Sequence, residues 1–180
     1  MRAYLDAMDN TTFVSPLPGE AGATARAPRV LAALRPRMLR LSAERADGAH
    51  PYMTIPEATA RAREILGPDA LLLPEQAFML ETDPVVARRA ARNYMSWYLG
   101  IENYQRSFVW QGFTEDDLAD GGSDRLVDAI VAWGDEDAVR ARVQEHFDGG
   151  ATHVAIQAIA EYPLSLELDA YRRVAPALLA

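Results

Sequence analysis

An α/β fold with parallel strands is predicted, because short apolar runs alternate with longer amphipathic stretches along the whole chain. One step shows the pattern in full. Asp135 can cap a helix, Glu136 and Asp137 suit its positive end, and Val139, Val143 and Phe147 recur at i, i+4 and i+8. Gly149-Gly150 stops that helix, and His153–Gln157 follows as a short apolar strand. Strands separated by helices pair in parallel, since the crossover between parallel neighbours needs a helix. Four such strand–helix units are expected. A closed eight-stranded barrel takes eight units in about 250 residues, so the 180 residues here match about half of one.

In order, residues 1–9 read as helix, with Tyr4, Leu5 and Met8 on one face. Residues 11–28 hold Pro16, Pro18, Gly19, Gly22 and Pro28 and are expected as a flexible surface loop. Arg29–Ala33 is the first strand. A helix follows with Pro36 in its first turn, where proline is tolerated, and Met38, Leu39 and Leu41 on its apolar face. Ala46–His50 is the second strand, ended by Pro51. The helix from Glu57 to Leu66 stops at Gly67. The third strand lies within Leu71–Leu80; Pro74 interrupts it, so its ladder is expected mainly over Gln76–Leu80. Asp83-Pro84 opens a long helix carrying Ala87, Ala91, Tyr94 and Tyr98, and more helix covers Asn103–Gln111. Thr114 and Ser123 read as further helix starts, the second followed by a stripe of Leu126, Val127, Ile130 and Val131. The fourth strand, His153–Gln157, precedes a last helix at about Ser165–Leu179. Residues 1–180 are expected to form a single domain.

Composition excludes several function classes. Apolar residues make up 49% and charged ones 24%, the balance of a soluble globular chain. No apolar run approaches the roughly 20 residues of a membrane helix, and the first residues lack the apolar centre of a signal peptide, so a cytoplasmic location is expected. There is no cysteine, hence no disulfide and no thiolate chemistry. A net charge of −8 suits a nucleic-acid partner poorly. No lysine is present, which excludes a Schiff base or a phosphate-loop lysine. The three histidines have no metal-ligand spacing, and no metal is expected. His146, beside Glu145, is expected to be solvated, and His153 to begin a strand in a structural role. Hydrolase and P-loop motifs are absent.

Three ordered segments carry a resemblance. The first is Arg29-Val30-Leu31-Ala32-Ala33-Leu34-Arg35-Pro36-Arg37-Met38-Leu39, followed by Ala46-Asp47-Gly48-Ala49-His50-Pro51-Tyr52. The second is Pro74-Glu75-Gln76 with Glu81-Thr82-Asp83-Pro84, then Asn103-Tyr104 and Gly112-Phe113-Thr114-Glu115-Asp116-Asp117. The third runs from Trp133-Gly134 to Gln157, with Asp128-Ala129 before it. Together they resemble the C-terminal part of the luciferase-like monooxygenase superfamily, within it the oxidoreductases that use the deazaflavin coenzyme F-420. The resemblance implies the C-terminal half, strands five to eight, of a (β/α)8 TIM-type barrel with inserted helices. Met1 would then fall within a helix internal to the family.

Ligands of such barrels sit at the C-terminal ends of the strands. Those ends offer Ala33, Leu34 and Arg35; His50, Pro51 and Tyr52; Glu81 and Thr82; and Gln157 and Ala158. The Ala33-Leu34-Arg35 turn leads into a helix N-terminus, which favours an anion. By residues alone it is either an ordinary strand–helix turn or a phosphate site; the resemblance implies that it holds the coenzyme's phosphate. Relatives usually carry at least one glycine in the Leu34-Arg35 stretch and this chain has none. His50, Pro51, Tyr52, Glu81 and Gln157 are the candidate substrate-pocket residues, with His50 the one candidate acid. Glu81 can equally support the helix start at Asp83. Tyr94, Trp97, Tyr98, Tyr104 and Trp110 either roof a pocket or belong to the core.

The implied reaction is hydride transfer between coenzyme F-420 and a small organic substrate, with a flavin mononucleotide (FMN) monooxygenase as the enzymatic alternative. In the family, ring-stacking and proton-donating residues come largely from the first half of the barrel. A non-catalytic half barrel, remnant or subunit, is the other reading; its open strand edges would pair with a second copy or a complementary N-terminal half.

Overall fold

The computed structural model describes residues 1–11, 28–160 and 167–179. The loop expected at 11–28 and the start of the helix expected from Ser165 lie almost wholly outside these residues.

Helix α1 (Arg2–Asp9) buries Leu5 against Leu31 and Leu41, and Asp9 pairs with Arg29 and Arg45. Strand β1 (Val30–Ala32) leads through a short turn into α2 (Pro36–Arg45), where Pro36 takes the first-turn position. Strand β2 (Gly48–His50) pairs with β1 in parallel, Leu31 opposite Ala49. Helix α3 (Pro56–Leu66) ends at Gly67, whose φ of 85° is a conformation that glycine adopts without a Cβ clash.

The next extended run is two strands, β3 (Leu71–Leu72) and β4 (Glu75–Met79), separated at Pro74. Strand β3 pairs with β2, and the ladder continues past the break, since Glu75 N–H donates to the Pro51 carbonyl at 2.9 Å. The ladder of β4 begins at Glu75, one residue earlier than expected. Alternation along β4 sends Gln76 and Phe78 to one face and Glu75 and Ala77 to the other.

Helix α4 (Pro84–Leu99) starts where Asp83 Oδ1 accepts from Val85 N–H at 2.8 Å and Val86 N–H at 3.4 Å. We expect Asp83→Ala to lower stability by about 1 kcal/mol, read as a shift of the urea midpoint without a change in slope. Helix α5 (Glu102–Gln111) ends at left-handed Gly112, and the short α6 (Glu115–Leu118) opens with a reciprocal Thr114–Asp117 capping box.

Helix α7 (Asp124–Ile130) is capped by Ser123 as expected, but it does not include Val131. Val131–Trp133 is a strand, β5, that the sequence does not predict. The stripe Leu126, Val127, Ile130, Val131 fits a 3.6-residue period, and no glycine or proline separates helix from strand. Phe78 of β4 pairs with Ala132 of β5 on one side and with Ala158 of β6 (Ala155–Ala158) on the other. Strand β6 begins two residues later than expected; Thr152 N–H donates to Leu72 O, so His153 lies in the approach to the strand.

Helix α8 (Glu136–Asp148) buries Val139, Val143 and His146. Phe147, expected on that face, is 42% exposed, and His146, expected in solvent, is 0% exposed. Two polar partners reverse the expectation: His146 bonds Thr59 Oγ1 at 2.8 Å and Gln76 Oε1 at 2.9 Å. Burial holds the imidazole down at about 4. Helix α9 (Leu168–Leu179) packs Val174 and Tyr171 against Phe78.

Every strand pair among the described residues is parallel, in two three-stranded sheets ordered β1-β2-β3 and β5-β4-β6. One core cluster packs α4, α5 and α7 on β4 and β5, with Met95, Phe108, Leu126 and Ile130 at its centre; another packs α2 and α3 on β1–β3. No helix among the described residues is long and apolar enough to cross a membrane.

Candidate functional site

Parallel strands point their C-terminal ends the same way, and a cavity of about 570 Å³ opens at the ends of β1 and β2. Its apolar wall includes Ala32, Leu34, Met38 and Trp97. Its polar groups are Arg35, Arg37, His50, Tyr52 and Asn103, with Tyr98 and Tyr104 beside them. A second groove, of about 480 Å³ between α5 and α6, is reached by no strand end.

One side of the cavity is cationic, with Arg35 and Arg37 beside the start of α2. Arg35 caps α2 in an extended conformation, so the first turn of α2, with its positive end, meets the cavity there. Arg35 Nη2 donates to Asn103 Oδ1 at 2.9 Å, which ties α5 to this corner. Ala33 is buried in the core, donating its N–H to the His50 carbonyl.

The other side is aromatic. Tyr98 stacks edge-on with Tyr104 at 4.9 Å and Trp97 at 5.1 Å, and lies 5.7 Å from Tyr52. Trp97 is 68% exposed at the edge of this group. Trp110 is elsewhere, under the Arg61 guanidinium. His50 Nδ1 donates to the Leu73 carbonyl at 2.5 Å, so the neutral ring carries its proton there and keeps Nε2 as an acceptor.

Behind the cavity runs a polar chain. Tyr52 O–H donates to Gln157 Oε1 at 2.8 Å and shares a 2.8 Å hydrogen bond with the Tyr94 hydroxyl. Tyr94 lies beside the Glu75 carboxyl, whose Oε2 accepts from Met53 N–H at 3.3 Å while Oε1 has no partner. Glu75 is 4% exposed, and burial pushes its carboxyl up to about 7. Burial likewise raises the Tyr52 and Tyr94 hydroxyls well above the usual phenol range.

Of the expected site residues, the structure brings Leu34, Arg35, His50 and Tyr52 together around the cavity, with Gln157 joined through Tyr52. Pro51 is buried beside β4, its carbonyl accepting from Glu75 N–H. Glu81 stands apart, its Oε1 accepting from Asp83 N–H at 2.8 Å. Glu75 was not singled out as a site residue. Its one signal in the sequence is an acid inside the apolar run Leu71–Leu80. Among the described residues no group of metal-ligating side chains comes together.

No family model and no curated protein matches the chain. Solved structures do. The coenzyme F-420 dependent tetrahydromethanopterin reductase of Methanopyrus kandleri is 16% identical, with a TM-score of 0.57 over 84% of this chain and 51% of that one. An F-420-dependent secondary alcohol dehydrogenase is 10% identical, at 0.59 over 86% and 49%. The EDTA monooxygenase of a Chelativorans species is 16% identical, at 0.60 over 94% and 48%. The chain spans about half the length of these proteins, and at such identities the likeness is one of fold: a mixed α/β arrangement with parallel strands, similar to about half of each of them.

Proposed function

We propose that the chain is the C-terminal half of a luciferase-like (β/α)8 barrel oxidoreductase, and that its cavity takes part in binding coenzyme F-420 together with a small organic substrate. The carrying observation is the cavity itself: a cationic corner at the start of α2 joined to an apolar, aromatic wall, at the C-terminal ends of parallel strands. The backbone supports the half-barrel reading, because Leu71–Met79 lies beside β2 along its first part and beside β6 on its other edge, which gives four parallel staves in chain order. Among the described residues β1 pairs only with β2, and β5 and β6 only with β4. The free edges of β1 and β6 suit a partner that completes the barrel, a complementary N-terminal half or a second copy.

The donor set fits a phosphate: Arg35, Arg37 and the α2 N-terminus would hold it, with Asn103 fixing Arg35. Leu34, Met38 and Trp97 would keep water from the ring, and His50 Nε2 and the Tyr52 hydroxyl would orient a polar group of the substrate. The coenzyme, when bound, supplies the hydride chemistry. FMN presents the same phosphate and a similar ring, so a monooxygenase fits the same corner.

Titration of coenzyme F-420 fluorescence with the chain tests this. Half a barrel is expected to bind more weakly than micromolar, and Arg35→Ala to weaken binding further by about tenfold, the value of one charge-assisted contact. No saturable binding, or binding indifferent to Arg35, counts against the site.

A further inference from the structure

Helix α5 carries a polar stripe on its inner side. Asn103, Ser107 and Gln111 recur at every fourth residue and so lie along one face. Ser107 is 1% exposed and Gln111 5%, and polar groups buried to that degree need hydrogen-bond partners. They find them on two separate loops. Arg35 Nη2 donates to Asn103 Oδ1, and Ser107 Oγ donates to the Leu34 carbonyl at 3.2 Å. Gln111 uses both ends of its amide on the loop after β2. Its Nε2 donates to the Met53 carbonyl at 3.0 Å, and its Oε1 accepts from Ile55 N–H at 3.0 Å. The same Nε2 donates to Ser107 Oγ at 3.3 Å, which joins the two sets of contacts along the helix.

The loop that Gln111 holds is strained. Met53 has a φ of 53°, a left-handed conformation uncommon outside glycine, and it is 1% exposed. Such a conformation persists where the surrounding contacts over-determine it. Here Glu75 Oε2 accepts from the Met53 N–H while Gln111 holds the Met53 carbonyl. Tyr52, the residue before it, lines the cavity, and its hydroxyl meets those of Tyr94 and Tyr98.

One helix face therefore reaches both loops that border the cavity, the Leu34-Arg35 turn at its cationic end and the Met53–Ile55 stretch at its aromatic end. We propose that α5 is the positioning helix of this site. Asn103 and Ser107 hold the turn that presents Arg35, Gln111 holds the loop that presents Tyr52, and the helix between them fixes the spacing that a ligand must span. Ser107 and Gln111 are not among the residues lining the cavity, so they act through Arg35 and Tyr52 rather than by touching the ligand. The proposal rests on reading the cavity as the ligand site, and it adds to that reading the residues that set which ligand length is accepted.

Fluorine NMR on the full chain labelled with meta-fluorotyrosine reads the loop without any ligand. The Tyr52 signal is assigned by its loss in Tyr52→Phe. Gln111→Met is expected to shift and broaden that signal, because Met53 is then free to leave its left-handed conformation. Ser107→Ala is expected to shift it by a smaller step, since Gln111 keeps its loop contacts but loses its brace. Val143→Ala, which opens the core at α8, is expected to lower the melting temperature and leave the signal in place. A role in stability alone predicts the same silence from Gln111→Met. A Tyr52 signal unmoved in folded Gln111→Met overturns the proposal, and so does one unmoved in Ser107→Ala if Gln111→Met does not fold. Binding gives a second readout. Gln111→Met is expected to weaken coenzyme F-420 about tenfold, since the loop must then be ordered on binding, and inorganic phosphate, which needs only the Arg35 corner, by less than about twofold. Equal weakening of the two also overturns the proposal. An unsubstituted chain that binds neither sinks the cofactor reading and leaves the Tyr52 signal to decide the role of α5.

Discussion

Replacing Glu75 with glutamine is expected to make stability climb by about 2 kcal/mol between pH 4.5 and pH 6.5, a range in which the unsubstituted protein stays nearly level. Two buried groups of opposite sense produce that level stretch. Burial holds His146 at about 4, against 6.5 for a free imidazole. Between those values the unfolded chain takes up a proton that the folded chain refuses, so acid destabilises the fold. Glu75 is pushed up to about 7, against 4.5 for a free carboxyl. From 4.5 upward the folded chain keeps a proton that the unfolded chain releases, so rising pH destabilises the fold. Each factor of ten in proton affinity is worth about 1.4 kcal/mol, and the two windows overlap almost completely. The other shifted acids, Asp9, Asp117, Asp124 and Glu136, are all lowered and act below this range. Urea unfolding at half-unit steps of pH measures the effect. His146→Leu is expected to show the mirror slope, with stability falling as pH rises. A steep dependence in the unsubstituted chain, or no change on replacing Glu75, would mean that one of these groups is solvated.

Gly48→Ala is expected to cost about 3 kcal/mol or more, the upper end for overpacking. An added Cβ would lie 2.1 Å from the Leu71 carbonyl oxygen and 2.5 Å from Leu71 Cβ. The oxygen is backbone of the adjacent strand and has no rotamer to escape into, so β2 and β3 would have to part. Gly112→Ala is the control. Its φ is 101°, in the left-handed region, but nothing lies within 4 Å of the added carbon, and left-handed strain alone costs about 1 kcal/mol. Thermal melts of the two variants compare them. Equal losses would show that β2 and β3 do not approach so closely.

Local signals made most of the fold legible. Asp83-Pro84, Thr114 and Ser123 each cap the helix they were read to start, and Gly67 ends the helix it was read to end, because these effects lie within one turn of the residue concerned. Strand β5 was hidden because its first residue continues the apolar period of α7. His146 was misread because its partners, Thr59 and Gln76, are far away in the chain, and helix period alone put Phe147 inside. Around the cavity, strand polarity located Leu34, Arg35, His50 and Tyr52. It could not find Glu75 and Tyr94, whose proximity depends on how α4 crosses β4 rather than on any pattern within either.

The stretch from Leu71 to Met79 gives backbone bonds to β2, to β5 and to β6. A single piece of chain is thus the keystone for every strand except β1, which reaches it through β2. Neither sheet can fray inward without this piece letting go, so among the described residues there is no seam along which one sheet would melt ahead of the other.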